Sequence, residues 1–137
     1  MAYEECEAFL PLHENDVVYV IRCYDGDTAT LSWCDPSSGK KVRKPCRLRG
    51  YDSAEIRTKS PREKELALHA KKRLEDAIKG EFVTILAPGQ DKYGRILCDL
   101  RTDKIVSVSD HMLAGGLDVA KPYNGGKKEG WAEQQPP

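Results

Sequence analysis

Carboxylates, arginines and hydroxyls gather in three short stretches of this chain. Asp25-Gly26-Asp27-Thr28 sets two acids two residues apart. Arg47-Leu48-Arg49-Gly50-Tyr51-Asp52-Ser53-Ala54-Glu55 follows two arginines with acids three residues apart, and Asp91-Lys92-Tyr93-Gly94-Arg95 adds a third charged run. These residue types suit one kind of chemistry. A hard divalent cation prefers carboxylate, carbonyl and water oxygens. Planar guanidinium forks grip phosphate oxygens better than an ammonium does, and a carboxylate beside a held water can take its proton. Each stretch also has a purely structural account: a hairpin turn, a solvated loop, and a charged turn between strands.

The stretches sit in a lopsided charge distribution. The 137 residues carry 22 Lys/Arg and 22 Asp/Glu, a formal net charge of zero. Residues 40–73 hold 13 Lys/Arg against four acids, a net +9, which leaves −9 on the rest of the chain. Solvated surface charge accounts for such a split, and so does a polyanion-facing surface set against an acidic back. Other classes are excluded more firmly. At 39% hydrophobic and 32% charged, the composition fits one compact domain that buries about two-thirds of its unfolded surface. No apolar run is long enough to form a transmembrane helix, and residues 1–9 lack a basic then apolar leader. The five cysteines, Cys6, Cys23, Cys34, Cys46 and Cys98, form no C-x-x-C pair. Disulfide frameworks and zinc sites are therefore disfavoured. Cys23, Cys34, Cys46 and Cys98, on expected strands, read as small core residues in an intracellular, reducing compartment.

Elements must position the three stretches. Residues 17–24, 27–34 and 40–49 read as strands of an antiparallel meander, joined at Asp25-Gly26 and at Asp35-Pro36-Ser37-Ser38-Gly39. Ser60-Pro61-Arg62-Glu63 announces a helix, with Ser60 as N-cap, Pro61 at N1 and Glu63 closing a capping box. Leu66, Ala70, Leu74, Ala77 and Ile78 form its apolar stripe, and Gly80 occupies the left-handed position after it. Strands at 81–87 and 95–101 and a short helix at 107–114 complete the order. That order predicts a mainly β fold with two to three helices: a five-stranded Greek-key barrel of the OB type over residues 17–123. Residues 1–16 are expected to be an acidic extension and residues 124–137 a loose Gly/Lys/Pro tail.

Together, YDGDT at 24–28, RLRGYDSAEI at 47–56 and DKYGR at 91–95 resemble the signatures of the staphylococcal nuclease (thermonuclease) family. Each motif is short; their order and spacing carry the likeness. The family's fold is an OB barrel with helices, in agreement with the element order. The resemblance implies that Asp27 and Asp52 ligate Ca²⁺, with Ser53 lending its backbone carbonyl. It further implies that Arg47 and Arg95 clamp phosphate, that Glu55 activates water, and that Lys92 and Tyr93 contact a terminal phosphate. Tyr123 falls near the tyrosines that line the nucleotide pocket. The implied reaction is calcium-dependent, sugar-nonspecific hydrolysis of DNA and RNA, single- or double-stranded, to 3′-phosphate and 5′-hydroxyl ends. A monomer acting away from membranes is expected. Ala54 stands where the family commonly has proline, the loop 56–60 is short, and one tyrosine remains near the C-terminal end, as in short intracellular or viral members.

A second function of another class uses the same fold: a non-catalytic nucleic-acid-binding or scaffold module. The acidic set separates the two, because a pure binder gains nothing by facing a polyanion with Asp27, Asp52 and Glu55. Since Asp27 and Asp52 fall at strand ends, they are expected to hold metal without supporting the fold. His69 reads as a surface residue, His13 and His111 lack metal partners, Trp33 reads as core, and Trp131 has no assigned role.

Overall fold

The computed structural model describes residues 11–123. Cys6, Trp131, the expected tail and most of the expected N-terminal extension lie outside the described residues. Seven strands and two helices follow in the order β1 (Val17–Cys23), β2 (Thr28–Cys34), β3 (Lys41–Leu48), β4 (Tyr51–Asp52), α1 (Pro61–Ile78), β5 (Phe82–Gln90), β6 (Ile96–Arg101), α2 (Val108–Leu113) and β7 (Lys121–Pro122). Five of them close a barrel in the order β1-β2-β3-β6-β5. β1, β2 and β3 form the expected antiparallel meander. Closure comes from one parallel ladder, Cys46↔Ile96 to Leu48↔Cys98, between β3 and β6. A parallel neighbour needs a crossover, and α1 with β5 supplies it.

Alternation along the strands sends one face inward. Val18, Val20, Ala29, Leu31, Cys46, Leu48, Val83, Ile85, Ile96, Cys98 and Leu100 are all buried. Each full aliphatic side chain among them contributes roughly 1.5–3 kcal/mol by leaving water, so the barrel interior is the principal source of stability. The segment before β1 joins this core. Leu12 is buried, and the backbone of Asn15 and Asp16 bonds both ways with Ile85 at 2.8 Å. Cys34 departs from expectation. It is exposed, because β2 ends there, opposite Lys41, beyond the packed part of the barrel.

Helix α1 begins at its expected cap: Ser60 Oγ accepts from Glu63 N–H at 3.2 Å. The capping box is relayed through a third residue. Thr58 Oγ1 donates to the Glu63 carboxylate at 2.9 Å and accepts from Ser60 N–H at 3.2 Å. At the other end Gly80 has φ +75°, and its N–H bonds Val20 O of β1 at 2.9 Å. The left-handed residue therefore ties helix to barrel. Leu66, Ala67, Ala70, Leu74 and Ile78 are the buried face. β4 and β7 pair as a separate two-stranded ribbon, with Asp52 opposite Lys121.

One close approach fixes the functional end of the barrel. A Cβ on Gly26 would lie 2.7 Å from Ala70 Cβ and 2.8 Å from Ser53 Cβ. Neither neighbour is a flexible tip, so only glycine lets the β1–β2 turn seat against α1 and Ser53. Gly26→Ala should destabilise the protein by about 1–3 kcal/mol, the usual cost of overpacking. Urea unfolding tests this, and an unchanged midpoint would show that the turn has room to move.

Candidate functional site

Arg47 is the centre of the site. It stands near the end of β3, and its side chain is 6% exposed. Nη1 lies 3.0 Å from Asp27 Oδ2 and donates to the carbonyls of Leu48 (3.2 Å) and Tyr51 (3.0 Å). Nη2 donates to Asp52 Oδ1 at 3.3 Å. The Tyr123 ring lies over the same group, 5.5 Å from ring centroid to Cζ. A buried guanidinium costs several kcal/mol unless its protons are matched, and here two carboxylates and two carbonyls match them.

Asp27 binds more than Arg47. Its Oδ2 accepts from Ser53 N–H at 3.0 Å, and its Oδ1 accepts from Thr28 Oγ1 at 3.1 Å. Its own N–H donates to Asp25 Oδ1 at 3.0 Å, and Tyr51 Oη donates to Gly26 O at 2.7 Å. The turn after β1, the end of β3 and the 51–53 segment are thus stapled together. The expectation that Asp27 and Asp52 stand clear of the fold is corrected: both are buried at 4–5% exposure and hold it closed.

Asp25, Asp27 and Asp52 gather around Arg47, and Lys121, opposite Asp52 on β7, adds a second cationic group whose Nζ is buried. Burial, and then the neighbouring Asp27 charge, push the Asp25 carboxyl up to about 7, with Arg47 pulling the other way. Among the described residues no three acidic, His or Cys side chains gather into a metal cage. A cation would therefore be held by two carboxylates together with carbonyl and water oxygens, a set that suits a hard ion. Burial also raises the Tyr51 phenol well above its ordinary range, so it remains a proton donor to Gly26 O.

Asp91 to Arg95 form a second cluster. Arg95 Nε meets Asp91 Oδ2 at 2.6 Å, and Asp91 Oδ1 accepts from the N–H groups of Tyr93 and Arg95 at 2.9 Å. Burial opposes ionisation of Asp91, but the Arg95 and Tyr93 hydrogen bonds outweigh it and lower its pKa. The exposed Tyr93 ring carries Lys92 Nζ at 5.4 Å and Arg95 Cζ at 5.9 Å. Among the described residues, the contacts of Lys92, Tyr93 and Arg95 are internal to this turn. Glu55 is exposed, three residues beyond Asp52. The structure therefore joins Asp27, Arg47, Asp52, Ser53 and Tyr123 directly. Two contributors were not singled out from sequence, Asp25 and Tyr51. Asp25 lay in the same Asp-Gly turn, whereas Tyr51 gave no signal beyond an aromatic among charges.

A family model described as Staphylococcal nuclease homologue matches residues 45–134. That span includes Arg47, Asp52, Ser53, Glu55, Lys92, Tyr93, Arg95 and Tyr123, whereas Asp25 and Asp27 precede it. No curated protein matches the chain.

The raised Asp25 carboxyl has a measurable signature. Between the ordinary aspartate value of 3.8 and about 7, folded Asp25 keeps a proton that the unfolded chain has released. The folded state binds more protons there, so stability falls as pH rises through that window, by at most about 4 kcal/mol. Urea unfolding at pH 5 and pH 8 in chelator should show this loss, and Asp25→Asn should flatten it. A wild-type protein more stable at pH 8, or a slope that survives in Asp25→Asn, contradicts the raised carboxyl.

Proposed function

The chain belongs to the staphylococcal nuclease homologue family, and from that premise we propose that it hydrolyses phosphodiester bonds of DNA and RNA in a calcium-dependent reaction. The expected products carry 3′-phosphate and 5′-hydroxyl ends. The observation that carries this reading is the buried Asp27–Arg47–Asp52 constellation, two carboxylates on one guanidinium, with Arg47 and Asp52 inside the most basic quarter of the chain. A site that only bound a polyanion would be weakened by buried carboxylates. A site that needs a cation and a phosphate together requires them.

In this proposal Asp27, Asp52 and the Ser53 carbonyl hold Ca²⁺, and water completes the shell. When bound, the ion supplies Lewis acidity to a phosphodiester oxygen. Everything else is done by side chains. Glu55, exposed and three residues beyond Asp52, holds the attacking water and accepts its proton. Arg47, its guanidinium already tied to Asp27, Asp52 and two carbonyls, turns a remaining N–H to the phosphoryl oxygens as charge develops on them, and Arg95 does so from the second cluster. Arg95 screens the leaving 5′ oxygen without donating a proton, because a guanidinium stays protonated at working pH. Lys92 and Tyr93 meet a terminal phosphate, and Tyr123 offers its ring to a base. No described helix is long and apolar enough to cross a membrane.

Incubation of the protein with single-stranded DNA in Ca²⁺ and then in EDTA, with end-group analysis, tests the proposal. Cleavage only with Ca²⁺ is expected. Binding without cleavage would favour a non-catalytic module of the same fold. Single-turnover rates at saturating Ca²⁺ separate the roles. Glu55→Gln should slow cleavage by about 10²–10⁴-fold, and Arg95→Lys by about 10²–10³-fold. Arg47→Lys should be at least as slow and also less stable, since a lysine cannot match the four acceptors. Wild-type rates in Glu55→Gln would remove its proton-accepting role.

A further inference from the structure

Outside the site, three exposed apolar side chains lie together on the outer face where β1 meets β5. Val17, Tyr19 and Phe82 are 62%, 37% and 69% exposed. Tyr19 and Phe82 are direct cross-strand partners, and their rings meet edge to face with centroids 5.2 Å apart. Single exposed hydrophobic residues are ordinary. An adjacent aromatic pair calls for an occupant.

The ladder shows what borders it. Reading across β1, β2 and β3, Tyr19 lies opposite Ser32 and Ser32 opposite Arg43. In the next row Arg22 lies opposite Thr30 and Thr30 opposite Pro45, and then Thr28 lies opposite Arg47. The outer face of β2 is thus a floor of short hydroxyl side chains, Ser32, Thr30 and Thr28. Tyr19 and Arg22 border it on one side and Arg43 on the other. Both Arg22 and Arg43 are exposed. None of the three strands contains an acid. From Ser32 to Thr28 the trough runs ~13 Å at about 3.3 Å per residue. It ends where Thr28 Oγ1 bonds Asp27 and where Arg47 sits.

We propose that this trough binds a single-stranded nucleic acid, with bases stacked on Tyr19 and Phe82 and phosphates against Arg22 and Arg43. The strand then leads to the Asp27–Arg47–Asp52 site, a direction that rests on the nuclease reading. A single strand is required because only unpaired bases expose the faces that stack on aromatic rings. The basic borders and the lack of acids match a polyanion rather than an apolar protein partner.

Fluorescence anisotropy of a labelled oligothymidylate, in EDTA to suspend cleavage, tests the trough. Tyr19→Ala and Phe82→Ala should each weaken binding by about tenfold or more, whereas Phe82→Tyr should keep it. Arg22→Gln and Arg43→Gln should each lower the slope of log affinity against log salt by about 0.7. With Ca²⁺, wild-type protein should cleave a two-nucleotide substrate, which is too short to reach Tyr19. Wild-type oligonucleotide affinity in both alanine variants overturns the proposal. So does a sedimentation result in which those variants lose only self-association, since the face would then be a protein interface. If wild-type protein leaves the two-nucleotide substrate intact, the nuclease reading fails alone, and the anisotropy result still decides the trough.

Discussion

The buried guanidinium of Arg47 is the interaction on which the functional end depends. Its nitrogens reach Asp27 on the β1–β2 turn, Asp52 on β4, and the carbonyls of Leu48 and Tyr51. Three segments distant in sequence or direction are held by one planar group. The arrangement is stable only as a set. Removing the arginine leaves two buried carboxylates facing each other, and removing either acid leaves a cation short of partners. A third acid at the same place, Asp25, keeps its proton to about pH 7, because it is buried and because Asp27 lies beside it.

The barrel explains why these segments meet. The parallel β3–β6 ladder puts the end of β3 in the middle of the sheet rather than at an edge. The thiols of Cys46 and Cys98 lie 3.0 Å apart on the inner side of that ladder, while Arg47 projects to the opposite face. Leu48 N–H bonds Asp27 O at 2.8 Å, and Arg49 N–H bonds Cys98 O at 3.0 Å. Backbone bonds on both flanks therefore fix Arg47 before its side chain makes any contact. α1 then closes the turn from behind through Ala70 against Gly26. Rigid strands, and not the loops alone, set the geometry of the charged groups.

Local signals made much of this legible. Asp25-Gly26 marked the first hairpin, and Ser60 with Glu63 three residues later marked the start of α1, because caps and turns are satisfied by near neighbours. Signals that need a distant partner were silent. Gly80 announced a left-handed residue but not its bond to Val20, and Glu63 announced a box but not the Thr58 relay. β4 and β7 are two residues each, too short to carry any period. Cys34 lay in an alternating strand whose last residue outruns the core. In the site, residue types were readable and their burial was not. An arginine beside a turn reads as solvated until two acids from other segments close over it, and the Asp25 proton exists only once they have.

Burial also gives the charge asymmetry its meaning. Residues 40–73 carry four acids among 13 bases, and a random surface would mix them. Of the four acids Asp52 is buried, against Arg47, while Glu55 and Glu65 stay exposed beside the more numerous exposed bases Arg43, Lys44, Arg57 and Lys59. The exterior of this segment is thus mostly basic, and Asp52, with Asp25 and Asp27, keeps negative charge in the interior. Those two fields would cancel if they were equally solvated. Water screens the outer charges within about 10 Å at 0.1 M salt, whereas the buried acids act at short range in a less polarisable medium. In the proposed reaction the first field would draw a nucleic acid and the second would hold a small cation. Arg47 belongs to both, since it neutralises the buried acids and stands where the phosphate is proposed to lie. That double membership is why its burial, more than its charge, is the feature to which the rest of the structure conforms.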